Sequence, residues 1–400
     1  MSNESSKDLV VKPAPNITGQ MSKNRIMQYT VIALLIITAI SAILWWPVTT
    51  PTKAQIASFK LSNIWQMSQG AIVVINALIA VGVAVGADAL IHALKSSIKL
   101  NTWSAAVFGL ILTLSYTLGV PSLGSAASGP MPLNFLTAPY TFAYIAVMSL
   151  VGLVIFKKLV GLTGRKFVNP AAAAQFIVLL PFISTILLVK DHAASITAGG
   201  LGVPSLAGPL GLGTGPDFSP IAHNGAASFG TYLISCFSNP NLKAPATTNT
   251  NLLSLMVLAK YHAWTGGASA LAVILVAIGF YVIARKYIKW KVPLAYFASI
   301  VVLSLIMSAA YGDSGVQVRL MFELFIGSSI FMALFMATDP ATTPLTGTGQ
   351  IIFGVGLAIL TVLIQASMNF FGGALLALLI MNLTVPLLDR VGIHKPFGRR

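Results

Sequence analysis

Nine acidic residues in 400 are few enough that each one standing inside an apolar run demands a chemical reason. Asp339 follows Phe335-Met-Ala337 and precedes Pro340, a place where Asp is a favoured helix cap. A carboxylate within a bilayer costs roughly 2.5–3.5 kcal/mol on insertion scales, so it is expected to face a cavity or a partner. Asp339 is therefore the first candidate for the path of a cation or proton. Glu323 is the second: it stands near the external end of its span, four residues after Arg319, where an intrahelical ion pair is the competing explanation. Asp88 is the third, four residues before His92 and so on one helix face with it, near the end of its span, where interfacial placement competes.

The run after Asp339, Thr342-Thr343-Pro344-Leu-Thr346-Gly347-Thr348-Gly349-Gln350, is dense in hydroxyls and glycines and contains no Lys or Arg. Backbone N–H groups and hydroxyls in such a loop can cradle a phosphate or a polar ring, although the lysine of a P-loop is missing. Thr338, Thr342 and Thr343 are the candidate ligand contacts here. A related string lies 170 residues earlier, where Asn169-Pro170-Ala171 matches Asp339-Pro340-Ala341 as polar residue, Pro, Ala. A Pro at a helix start frees backbone groups, and the polar residue beside it can satisfy them or a ligand. Two such breaks meeting near the midplane would form a polar site, with Asn169 as the contact from the first. Ordinary capping at a membrane surface is the alternative.

The elements that must hold these residues are apolar. Hydrophobic residues make up 56% of the chain and charged residues 8%, with a mean hydropathy of +0.85, far from a soluble domain. This is an all-α polytopic membrane protein by composition. The net charge of +15 comes from short basic clusters between apolar runs, which is the positive-inside pattern and not a nucleic-acid face. The single cysteine, Cys236, excludes an intrachain disulfide and an iron–sulfur cluster held by this chain alone. No zinc-binding His-Glu-x-x-His, no Gly-x-Ser-x-Gly nucleophile turn and no metal site is evident, so hydrolytic chemistry has no support. No Gly-x-Gly-x-x-Gly follows a strand, so the chain does not oxidise a nicotinamide by itself.

Apolar runs near 29–49, 71–94, 103–121, 139–160 and 169–189, then 268–288, 293–311, 318–337, 350–367 and 371–388, predict about ten spans. The first ends in Trp45-Trp46-Pro47 with no small-residue cleavage site, so it is read as a retained helix and not a signal peptide. Residues 1–27 read as a disordered tail, 28–189 as one five-helix unit, 190–267 as a long external Gly/Pro-rich loop, 268–389 as a second unit and 390–400 as a basic tail. Within the loop, Leu252 to Trp264 is apolar enough to lie on the membrane. Five helices per unit force opposite orientations, the geometry of an inverted repeat. With both termini cytoplasmic, 18 of the 24 Lys and Arg fall on the cytoplasmic side, which fixes the orientation expected in a plasma (inner) membrane.

Three strings together resemble one family: Phe335-Met-Ala-Thr-Asp-Pro through Gly354, Gly161-Leu-Thr-Gly-Arg-Lys-Phe-Val-Asn-Pro-Ala-Ala172, and Leu379-Ile-Met-Asn-Leu-Thr-Val-Pro-Leu-Leu-Asp389. They look like segments of the NqrB subunit of the sodium-translocating NADH:quinone oxidoreductase and of the RnfD subunit of the Rnf complex. The resemblance implies a fold similar to urea transporters and a flavoprotein subunit that helps couple electron flow to sodium or proton movement. It also implies other subunits as partners, with a quinone as a further one, and a translocase that is not catalytic alone. Family members attach FMN to the Thr of a Ser-Gly-Ala-Thr-like motif after the fifth helix, whereas this chain reads Thr197-Ala-Gly-Gly-Leu-Gly-Val-Pro-Ser-Leu206 there. The implied FMN, or riboflavin in its place, is then held without a covalent link, and Ser269 in Thr265-Gly-Gly-Ala-Ser269 is the one candidate for a phosphoester. Lys158 falls where sodium-pumping relatives resemble one another in an acidic residue, and a fixed cation there repels sodium. The alternative is a transporter or channel of the same fold that passes a small solute or ion without flavin.

Overall fold

The computed structural model describes residues 23–45, 69–95, 100–115, 141–159, 168–179, 269–285, 287–311, 320, 323–324, 329–368 and 373–392. The expected N-terminal tail up to residue 22, the loop 190–267 with its Thr197–Leu206 and Leu252–Trp264 strings, Cys236, Thr265, Arg319 and the chain after 392 lie outside these residues. Within them the protein is all-helical, a polytopic membrane protein.

The first half contributes α1 (Lys23–Trp45), α2 (Gln69–Leu94), α3 (Thr102–Ser115), α4 (Thr141–Val151, continuing as a π-helix over Gly152–Leu159) and α5 (Pro170–Leu179). The second contributes α6 (Ala270–Ile283), α7 (Lys291–Tyr311), α8 (Ser329–Phe331, continuing as a π-helix over Met332–Met336), α9 (Gly347–Met368) and α10 (Gly373–Leu388). Four segments, Asn24–Leu44, Gly70–Leu94, Phe142–Leu159 and Gly347–Ile364, are long and apolar enough to cross a membrane, and α3, α6, α7 and α10 are shorter apolar helices. Large apolar side chains are exposed along their outer faces, such as Ile32, Leu35 and Ile43 on α1, as lipid contact allows. Thr38 and Thr361 bond back one turn, to the Leu34 carbonyl at 2.8 Å and the Leu357 carbonyl at 2.7 Å, so these two hydroxyls carry no unmet donor into the bilayer.

The two halves pack alike. In the first, α2 meets α4, α4 meets α5 and α1 meets α3; in the second, α7 meets α9, α9 meets α10 and α6 meets α8. The principal contacts between halves are α1 with α6, α3 with α8 and α5 with α10, each helix against its own counterpart. That pairing is what an inverted repeat leads one to expect, since elements beside a pseudo-two-fold axis touch their own image. Small residues permit the closest approaches: a Cβ on Gly109 of α3 would lie 2.8 Å from the Ala80 carbonyl of α2, and one on Gly354 of α9 would lie 2.6 Å from the Val292 carbonyl of α7. The core sits at the junction, where Ala171, Ala172 and Ala174 of α5 and Phe331, Met332 and Met336 of α8 are almost wholly buried.

Candidate functional site

The two Pro breaks meet. Asn169 caps α5, its Oδ1 accepting the backbone N–H groups of Ala171 at 3.0 Å and Ala172 at 3.3 Å, and Pro170 occupies the first helical position where its missing donor costs nothing. Its Nδ2 donates to the Met336 carbonyl at 3.4 Å. That carbonyl closes the π-helical end of α8, three residues before Asp339. Asn169 is 3% exposed, so this bond ties the two halves together away from water.

From Met336 the chain turns outward. Asp339 is half-buried, Pro340 is exposed, and the Asp339 Oδ1 accepts the Ala341 N–H at 3.1 Å in a local turn. The turn lies level with helix ends: the Leu345 N–H donates to the Asp389 carboxylate beyond α10 at 2.7 Å, and Lys289, two residues before α7, donates to the Thr343 carbonyl at 2.8 Å. The Asp339 limb of the site is therefore at one end of the bundle and not midway through it. Ordinary capping accounts for the bond to its carboxylate, and the Lys289 ammonium also reaches the neighbouring Pro340 carbonyl at 3.2 Å.

Lys289 is the residue that local reading of the Thr/Gly-rich run missed. That run has no basic residue of its own, yet the fold supplies one from the turn before α7, which also donates to the Thr343 hydroxyl at 2.7 Å. Nothing in the neighbouring sequence of Thr343 signals this, because the two residues are 54 apart.

A second charged group occupies the first half. Asp88, 1% exposed, pairs with Lys158 from the π-helical end of α4, and its Oδ2 accepts the Asn101 N–H ahead of α3 at 2.8 Å. Lys157 beside it donates to the Ser104 carbonyl and lies 5.5 Å from the centre of the Phe108 ring. Asp88 is thus buried and paired across helices, where the sequence left interfacial placement open. A π-helical turn redirects neighbouring side chains, and here it delivers Lys157 and Lys158 to two adjacent helices. Glu323, also 1% exposed, lies in the second half, ahead of α8.

The flavin contacts expected from the sequence do not assemble. Thr338 donates to the Leu334 carbonyl at 2.9 Å, Thr343 to the Asp339 carbonyl at 2.7 Å, and Asn169 is committed to its cap and to Met336. Only Thr342, 1% exposed, keeps a hydroxyl with no hydrogen bond. Ser269 is the N-cap of α6, its Oγ accepting the Ala272 N–H at 3.2 Å, and a 14-residue helix, about 20 Å, separates it from the end where Thr343 sits. These five side chains do not fit one flavin among the described residues. Among the described residues no three His, Cys, Asp or Glu side chains come together to hold a metal ion.

Comparison with known proteins covers almost the whole chain. The family model described as NQR2, RnfD, RnfE family matches residues 10–398. The D subunit of the Na(+)-translocating ferredoxin:NAD(+) oxidoreductase complex of Acetobacterium woodii is 24% identical over 98% of this chain and 96% of its own. The D subunit of the ion-translocating oxidoreductase complex of Stutzerimonas stutzeri is 27% identical over 71% of this chain and 79% of its own. Its counterpart in the proton-translocating ferredoxin:NAD(+) oxidoreductase complex of Clostridium ljungdahlii is 35% identical over 32% of this chain and 38% of its own. With a single model spanning both halves and the breaks between them, the chain belongs to the NQR2, RnfD, RnfE family.

Proposed function

We propose that this chain is the integral-membrane subunit of an ion-translocating oxidoreductase complex, working with other subunits that bring the electron donor and acceptor and coupling electron flow to movement of Na+ or H+. The observation that carries the reading is the family match over residues 10–398, which includes both Pro breaks and their meeting point at Asn169 and Met336. Asp339, Glu323 and Asp88 are the acids assigned to the ion path, Asp339 at the mouth and Glu323 within. Relatives are named for sodium and for protons alike, so their names do not choose the ion. The Lys158 ammonium on Asp88 argues against a sodium ion at that carboxylate, since the two would compete for one charge.

FMN, bound without a covalent link, belongs to this reading as the electron-carrying group of the complex. No step is assigned to Asn169, Thr338, Thr342, Thr343 or Ser269, since all but Thr342 serve caps and turns. That same commitment favours the second reading, a flavin-free transporter of similar fold. Purification from the native membrane decides between them. The first reading expects co-purifying redox subunits, and a flavin absorption that leaves the polypeptide on denaturation. Colourless protein migrating alone, with solute or ion flux in liposomes and no electron transfer, would establish the second.

In this orientation both termini face the cytoplasm of a plasma membrane and 190–267 faces outward. A reporter at Ser219 reads as external and one after Arg400 as cytoplasmic; the reverse pair of readings overturns the orientation.

A further inference from the structure

Two groups hold the closed-off carboxylate of Asp88: the Lys158 ammonium at Oδ1 and the Asn101 N–H at Oδ2. Apart from the ammonium, Oδ1 has no hydrogen bond. A carboxylate between apolar helices is costly without a matching charge, so something positive has to stand at Oδ1. The two partners approach that contact differently. Asp88 is 1% exposed, whereas the Lys158 side chain is 17% exposed, so the lysine reaches in from the wetter side. Three segments meet there: Asp88 comes from α2, Asn101 stands just ahead of α3, and Lys158 comes from the π-helical end of α4. Lys157 does not share the carboxylate, because its ammonium is placed on the Ser104 carbonyl in the first turn of α3. Each ammonium therefore ends on an oxygen of a kind that small cations take as a ligand, one a carboxylate and the other a backbone carbonyl.

A buried ion pair is seldom more stabilising than an apolar pair of the same size, so stability alone is a weak reason for one here. The lysine head presents to Oδ1 one positive charge on a small group, which is also what a sodium ion presents. A free cation at Oδ1 meets the same carboxylate, and water completes its shell on the side where Lys158 is exposed. We propose that the Asp88 carboxylate is a monovalent-cation site and that Lys158 is its tethered competitor, so that a free cation binds at Oδ1 only in place of the ammonium. The tethered head is always at hand, whereas a free ion has to be drawn from solution, and Lys158 thereby sets how readily the site opens to one. The proposal deepens the ion-coupling reading, on which its use to the complex rests, by naming the residue that decides access to the first-half acid. The binding itself needs no electron transfer to be tested.

The test is the yield and thermal unfolding of the purified full-length chain in sodium, methylammonium or choline chloride at equal ionic strength, since a ligand that binds only the folded state raises the midpoint saturably. Lys158→Ala removes the competitor and is expected to gain a saturable rise of about 3 °C or more in sodium and in methylammonium, with none in the bulky choline. Half of that rise is expected at a sodium concentration at least about tenfold below any response of wild type. Lys158→Gln, which keeps a donor for Oδ1 and removes the charge, is expected to gain the sodium rise as well. Asp88→Asn combined with Lys158→Ala removes the site and is expected to lose the rise. Equal yields of folded protein and equal midpoints in sodium and choline for both Lys158 variants overturn the proposal, as does a rise that persists in the double variant. A rise in methylammonium with none in sodium also overturns it, because the pocket then fits an amine and not an ion. Any of these failures leaves the subunit assignment standing, because that is judged by co-purification and electron transfer; conversely, a sodium response gained by a chain that associates with no redox partner keeps the site and removes the assignment.

Discussion

The two halves share a packing plan but treat their buried polar groups in opposite ways. In the first half, Gln175 of α5 donates to the Ser115 hydroxyl at 2.6 Å and to the Leu112 carbonyl at 3.3 Å, and Ser149 of α4 donates to the Ala80 carbonyl of α2 at 2.7 Å. Thr113 of α3 bonds back to the Gly109 carbonyl at 3.0 Å, and the acid of that half, Asp88, is paired with Lys158. In the second half, the Ser304 hydroxyl and both amide atoms of Asn382 are buried without hydrogen bonds, as is the Asn76 Oδ1 in the first. The first half thus ties α3 to α5 and α2 to α4 through side-chain hydrogen bonds, whereas Asn382 of α10 adds none of its own. Glu323, one of the acids proposed above for the ion path, lies in this half.

The largest effect expected from this contrast lies in the first half. Removing one partner of the Asp88–Lys158 pair, as in Lys158→Met, strands a buried carboxylate and is expected to cost about 3–5 kcal/mol, whereas the double change Asp88→Leu with Lys158→Met is expected to come close to wild type. Thermal unfolding of the three proteins checks this. A single variant as stable as wild type would mean that Asp88 is not closed off as described.

A sharper comparison sets Gln175 against Asn382. Gln175→Leu removes two hydrogen bonds between α5 and α3, while Ser115 keeps its bonds to the Ile111 and Leu112 carbonyls, a loss of about 1 kcal/mol. Asn382→Leu removes an amide that has no partners, so its stability is expected to stay level or rise. Equal losses in the two variants would erase the distinction between the halves.

Smaller still is the effect at the mouth. Thr343→Val deletes the hydroxyl that accepts from Lys289 and donates to the Asp339 carbonyl, at a part-buried position, and is expected to lower stability by about 1 kcal/mol. Asp339→Asn keeps the turn hydrogen bond and is expected to change stability by less than about 0.5 kcal/mol, since Asn caps about as well as Asp. Any effect of that variant on coupled transport is then a property of the charge.

Much of this arrangement was legible in the sequence, for reasons that differ from residue to residue. Apolar runs of span length carry the all-helical membrane class, and Asn-Pro-Ala and Asp-Pro-Ala mark the breaks because Pro and a capping side chain act locally. Local signals also single out Asp88, Glu323 and Asp339, since any acid in such a chain is conspicuous. What they do not carry is partnership: Lys289 reaches Thr343 and Lys158 reaches Asp88 only through the packing of distant helices. The candidate flavin contacts have a competing role for the complementary reason. Thr338 and Thr343 are polar for the sake of their own turns, which composition does not separate from polarity kept for a ligand.

The most direct measurement of the central claim is the ratio of cation uptake to electron transfer in liposomes carrying the whole complex. With Glu323→Gln in the second half, electron transfer is expected to continue while uptake per electron collapses, and with Ser149→Ala in the first half the ratio is expected to stay unchanged. A wild-type ratio in the Glu323→Gln complex would contradict an ion path through the second half.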